Sequence, residues 1–78
     1  MLNNNITISK EQYIEIASKF GLTKRELEVG YMKINGFSNQ RIAQIYGISV
    51  LTVKKHFTHI YEKSFVPGRN EFRELFFD

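Results

Sequence analysis

Ser38, Gly47, Ser49 and Val53 carry the tightest constraint in this 78-residue chain. They punctuate residues 37–64, FSNQRIAQIYGISVLTVKKHFTHIYEKS, into two helices and a turn. Ser38 is a side-chain cap for a helix that begins after it, and Phe37 with Ile42 forms the hydrophobic staple around its first turn. Ile42, Ile45 and Tyr46 follow at the i, i+3, i+4 spacing of one buried helical face, with Ala43 between them where a bulkier side chain would hold the next helix off. Gly47 stands where a chain leaving a helix takes a left-handed conformation, which glycine adopts cheaply. Ile48 then plugs inward, and Ser49 caps a second helix with Val53 closing its staple. Two helices joined by so short a connection cross steeply. The pattern is a helix-turn-helix, with its second helix, over about 50–64, held proud of the body.

The same grammar runs through the rest of the chain. Ser9 with Gln12 is a capping box and Ile8 with Tyr13 a staple, predicting a helix over 10–20 with Tyr13, Ile16, Ala17 and Phe20 inward and Gly21 at its end. Thr23 with Glu26 repeats the box, predicting a helix over 24–35 with Leu27, Tyr31 and Ile34 as its stripe. Gly30 falls on that stripe, where it costs about 1 kcal/mol of helix propensity relative to Ala; close approach of a neighbouring helix explains such a residue. Residues 1–8 are expected to be loose. Pro67 and Gly68 make a firm turn, and Asn70 is the expected cap of a last short helix carrying Phe72, Leu75, Phe76 and Phe77. Some of these fill the small core, and so many large apolar residues at one end predict that at least one face is covered by a second subunit. The fold class expected is all-α.

Composition excludes several functions. Without cysteine there is no disulfide framework, thiolate zinc cluster or cysteine nucleophile. No apolar run approaches the roughly 20 residues of a membrane helix, and the Asn-rich start has no signal-peptide pattern, so a cytoplasmic protein that does not contact membrane is expected. The net charge of +3 is unevenly spread: Lys and Arg against Asp and Glu balance at zero over 1–21, give +1 over 22–36, +3 over 37–64 and −1 over 65–78. A basic face is often merely solvated; here it coincides with a docking geometry for a polyanion. No Gly-rich phosphate loop and no nucleophile with a base and orienting group is present, and Glu26 and Glu28 read as capping and exposed carboxylates, so no catalytic residue and no cofactor is expected.

A projection at about 100° per residue sorts the helix over 50–64 into two faces. Val50, Val53, Phe57, Ile60, Tyr61 and Ser64 face the body. Leu51, Thr52, Lys55, His59 and Glu62 lie opposite, flanked by Lys54 and Thr58. Ammonium groups suit guanine O6 and N7 or phosphate, and a hydroxyl donates or accepts, so this face has the chemistry of contact with a DNA major groove. His56 and His59 are spaced as H-x-x-H, but with no third ligand nearby the plainer reading is a partly packed His56 and a phosphate-facing His59, with no metal.

LTKRELEV, GFSNQRIAQIYGIS and TVKKHFTHIYEK together resemble the LuxR-type (GerE-like) helix-turn-helix domains of bacterial transcription regulators, in register from residue 22 to about 75. The resemblance implies a four-helix domain over 22–78 that binds double-stranded DNA through its third helix and dimerises through its fourth, with 1–21 as an additional N-terminal helix and its lead-in. It places base contacts on Lys54, Lys55 and Thr58 with His59 nearby, phosphate contacts on Ser38, Asn39 and Gln40 and on Ser49, Val50 and Thr52, and the dimer face on Phe72, Leu75 and Phe76. Phosphate at a helix start also makes independent sense, because unpaired N–H groups and the helix dipole favour it there. The chain departs from the family's pattern at Gly30 and Lys33, where relatives usually have large apolar residues, at Ser64 in place of a usual leucine, and at Glu62, which adds negative charge beside the DNA-facing side.

The function expected is a sequence-specific DNA-binding transcription regulator acting as a homodimer, with RNA polymerase a further candidate partner. A rival is a helical protein-interaction module, such as an antagonist of a regulator, that keeps the fold without binding DNA; a sigma-factor-like promoter reader is a third reading. Operator, target genes, direction of regulation and controlling signal are not encoded legibly. With no receiver or ligand-binding domain before residue 22, the expectation is either a stand-alone regulator or a piece of a longer one.

Overall fold

The computed structural model describes residues 8–77, all of whose regular structure is helical. Helix α1 spans Lys10–Ala17 and tightens into a 3₁₀ turn at Ser18–Phe20. Then come α2 (Lys24–Ile34), α3 (Asn39–Tyr46), α4 (Val50–Ser64) and α5 (Arg69–Glu74). Apart from Ile8, the expected loose start lies outside the described residues. Ile8 itself is buried, and its carbonyl accepts a hydrogen bond from the Tyr31 hydroxyl at 3.1 Å.

Side-chain caps begin four of the helices where the hydroxyls predict them. Ser9, Thr23, Ser38 and Ser49 each accept from the backbone N–H three residues on, at 3.0 to 3.2 Å. At Thr23 the box is reciprocal, because its own N–H donates to Glu26 Oε1 at 2.9 Å. Helix α5 departs from expectation. It starts two residues earlier, after an extended Gly68 whose carbonyl accepts from the Phe72 N–H at 2.9 Å, so Asn70 lies inside the helix and does not cap it.

The core runs through every helix. Tyr13 and Ala17 of α1, Val29 and Ile34 of α2, Ile42 and Ala43 of α3, Val53, Phe57 and Ile60 of α4, and Phe72 and Phe76 at the C-terminal end form one buried cluster. The face of α2 is rotated from the expected stripe: Leu27 and Tyr31 are half-buried, while Val29 and Gly30 are fully inside. A neighbour's close approach is the reason. A Cβ at position 30 would lie 2.6 Å from Tyr13 Oη and 3.3 Å from a Phe72 ring carbon. Helix α1 therefore packs closely on α2, its tyrosine filling the volume that a glycine leaves. Ile45, expected in the core, is exposed, while Ile42 and Ala43 of the same helix carry its buried face.

At the C-terminal end Phe72 is 0% exposed and Phe76 8%. Their rings stack edge-on at 5.1 Å between centroids, with Tyr13 5.0 Å from Phe76 and Tyr61 5.9 Å from Phe72. Their apolar surface is thus used inside the chain, and of the three residues expected at a dimer face only Leu75 is exposed.

Candidate nucleic-acid interface

Helix α4 stands on α3 and α2, and the turn that aims it is short. Gly47 takes the left-handed conformation at φ 64°, and the Ile48 N–H donates back to the Ala43 carbonyl at 3.0 Å, closing α3 as α4 is about to begin. Val53, Phe57, Ile60 and Ser64 bury the inner face. Ser64, where a leucine would be apolar, satisfies its hydroxyl by donating to the Ile60 carbonyl at 2.7 Å.

The outer face carries Leu51, Lys54, Lys55, Thr58, His59 and Glu62, all exposed, with Leu51 at 65%. Neither Lys54 nor Lys55 has a side-chain hydrogen bond or ion pair among the described residues. Thr58 is less free than its residue type suggests. Its hydroxyl donates to the Lys54 carbonyl at 3.1 Å, so what it offers outward is acceptor capacity.

At the start of the helix Ser49 Oγ and Thr52 Oγ1 lie 2.9 Å apart while Ser49 caps the Thr52 N–H, so both hydroxyls serve the cap. The N–H groups of Val50 and Leu51 make no hydrogen bond among the described residues. The same holds at α3, where Ser38 caps Arg41 and the N–H groups of Asn39 and Gln40 are unpaired. The Val50 side chain is half-buried, so this residue offers its backbone outward.

Glu26 is not an exposed carboxylate. It is 4% exposed and joins α2 to the outer edge of α4: Oε1 accepts from Lys63 Nζ at 2.8 Å, and Oε2 lies 3.9 Å from His59 Nδ1. Burial pushes its carboxyl up, but the Lys63 ammonium and the Thr23 N–H outweigh burial and hold it below the ordinary value. His59 is largely solvent-facing, with its imidazole beside this buried acid. His56 is half-buried, and among the described residues no three His, Cys, Asp or Glu side chains come together as a metal site.

Two cations were not legible as part of this surface. Lys33, from the interior of α2, and Arg69, from the start of α5, line an open cleft beside α4 together with Lys54. Nothing in the local pattern around Lys33 marks it, since it sits at a position where an apolar residue would complete the helix face. No described helix is long and apolar enough to cross a membrane.

Residues 21–73 match the family model GerE, described as bacterial regulatory proteins of the luxR family. The HTH-type transcriptional regulator MalT of Vibrio campbellii is 35% identical over 57 residues, which are 73% of this chain and 6% of MalT. The response regulator protein VraR of Staphylococcus aureus is 40% identical over 50 residues, 64% of this chain and 24% of VraR. The chain therefore corresponds to a small part of the length of these relatives. No solved structure matches it with significance.

Proposed function

The chain belongs to the luxR family of bacterial regulatory proteins, and from that we propose that it is a sequence-specific DNA-binding transcription regulator whose α4 enters the major groove. The observation that carries this reading is the outer face of α4: two exposed lysines without partners, aimed by the Gly47 turn and flanked by helix starts with unpaired N–H groups. Lys54 and Lys55 read base edges or neutralise phosphate, Thr58 accepts from a base amino group, and His59 borders them. The N–H groups around Ser38, Asn39 and Gln40, and around Ser49, Val50 and Thr52, take backbone phosphates. Relatives described as a transcriptional regulator and a response regulator support this assignment.

A homodimer on a pseudo-palindromic site fits the reading. Since Phe72 and Phe76 are buried within the chain, such a dimer uses Leu75 and the exposed rim of α5. RNA polymerase is a further proposed partner. The rival, a protein-interaction module that does not bind DNA, draws on Phe65, which is 91% exposed at the end of α4.

Fluorescence titration of random and selected duplex DNA at low and moderate salt separates the two, because a phosphate-contacting protein loses affinity steeply with salt. Lys55→Ala is expected to cost about 1 to 3 kcal/mol and to relax preference at one base position. Unchanged binding by the Lys54→Ala, Lys55→Ala double variant refutes the assignment, and no salt-dependent binding at micromolar protein favours the rival.

A further inference from the structure

Beside the outer face of α4 lies an open cleft of about 380 Å³ with walls from four helices. Lys33 of α2, Lys54 of α4 and Arg69 of α5 converge on it above a floor of Phe57 and Tyr61, and no carboxylate lines it. None of the three cations has a side-chain hydrogen bond or ion pair among the described residues. Lys33 is the most constrained. Only 8% exposed, it runs its alkyl stem through the interior and holds Nζ 5.1 Å from the centre of the Phe57 ring. Burial and then the charge of Arg69 push its ammonium below the ordinary lysine value. An apolar residue would fill this place without either penalty.

We propose that this cleft is a seat for a phosphate anion and, resting on the DNA-binding reading above, that the anion is a backbone phosphate of the strand bordering the groove that α4 enters. Three observations converge on it. The cleft is continuous with the reading face, since Lys54 and Thr58 belong to both. It reaches the start of α3 through Asn39, whose backbone N–H is unpaired and whose side-chain Oδ1 is buried without a partner; a half-turn of that amide presents its NH₂ as a donor. Donors arriving from separate helices suit a tetrahedral group with several acceptor oxygens better than a planar carboxylate, and an anion between Lys33 and Arg69 replaces their repulsion with charge-assisted hydrogen bonds.

The test combines two titrations of the whole chain. In the first, duplex DNA binding is followed by anisotropy over a series of salt concentrations for wild type, Lys33→Met and Arg69→Gln. Loss of one phosphate contact lowers the magnitude of the log Kd against log salt slope by about one and weakens specific and random duplexes by the same factor. Lys33→Met keeps the length and apolar stem, so its thermal midpoint is expected at or above that of wild type; if it nevertheless misfolds, Arg69→Gln supplies the same readout. In the second, inorganic phosphate is titrated against ¹⁵N-labelled protein, with shifts expected at the amides of Lys33, Asn39 and Arg69 in wild type and not in Lys33→Met. Unchanged salt slopes in both folded variants, with wild type binding DNA, overturn the backbone-phosphate assignment. Cleft shifts alone would then assign the seat to a free phosphoryl anion. If wild type binds no duplex, the regulator reading fails and the phosphate titration alone decides the cleft; absence of cleft shifts overturns it.

Discussion

Gly30→Ala should destabilise this domain although it improves the helix. In an ordinary helix interior the exchange gains about 1 kcal/mol of propensity. Here the new Cβ meets Tyr13 Oη at 2.6 Å and Phe72 at 3.3 Å. Tyr13 cannot easily yield: its hydroxyl donates to the Leu27 carbonyl at 2.6 Å, and its ring lies 5.2 Å from Tyr31 and 5.0 Å from Phe76 in the core. Burial pushes this phenol far above its ordinary value, so it remains a donor at any working pH. Displacing the ring stretches or breaks that hydrogen bond, removing about 0.5 to 1.5 kcal/mol, and overpacks the aromatic cluster at about 1 to 3 kcal/mol. Against the propensity gain, the net is a loss of about 0.5 to 3.5 kcal/mol. Thermal denaturation followed by circular dichroism should show the midpoint falling by at least about 2 °C. A double-mutant cycle with Tyr13→Phe isolates the cause. Without the hydroxyl, Gly30→Ala should cost at least about 1 kcal/mol less. A Gly30→Ala midpoint at or above wild type would refute the packing account of α1.

Two further stability predictions concern the C-terminal end of α4. Phe65 closes the helix at φ 60° with its ring 91% exposed, so it bears left-handed strain with little packing in return. That strain is roughly 1 to 2 kcal/mol for an L-residue, and Phe65→Gly should recover about 1 kcal/mol after the glycine's larger entropy loss; a lowered melting midpoint would show that the ring packs. Glu26 is held below its ordinary value of 4.5 in the folded chain, so its stabilising contribution is present above that value and lost as pH falls through the lower folded value. The wild-type midpoint should therefore drop more steeply between about pH 5 and pH 3 than that of Glu26→Gln, and parallel profiles would remove Glu26 from the acid response.

Helix starts were legible because a hydroxyl cap is a local event: Ser9, Thr23, Ser38 and Ser49 each bond a backbone N–H three residues away, and no distant residue decides it. The outer face of α4 was legible for a similar reason, since a 15-residue helix with an apolar stripe has only one side to bury. What escaped the pattern depends on partners far along the chain. Glu26 reads as a cap from its neighbours, and becomes a buried anchor for α4 only because Lys63 arrives 37 residues later. Phe72 and Phe76 read equally well as core or as dimer face, because the partners that decide it, Tyr13 and Tyr61, lie on other helices. Asn70 was misassigned as a cap where the extended Gly68 needs no side chain to begin the helix.

Three departures from the family's pattern, at residues 30, 33 and 64, sit within α2 and α4, and the structure treats them differently. Gly30 is matched by Tyr13, an aromatic side chain brought by α1, so volume lost in one helix is restored from another. Ser64 satisfies itself within its own helix, its hydroxyl donating a hydrogen bond to the Ile60 carbonyl. Both accounts close inside the core and leave no polar group seeking a partner. Lys33 is different in kind. Its ammonium lies over the Phe57 ring, but no described carboxylate neutralises it, and the charged group that acts upon it is Arg69, another cation. The charge is directed into an open cleft shared with Lys54 and Arg69, with no carboxylate to offset it, beside the face on which the proposed DNA contacts depend. Removing Gly30 or Ser64 as departures should thus register in stability, whereas removing Lys33 should register in the salt dependence of binding.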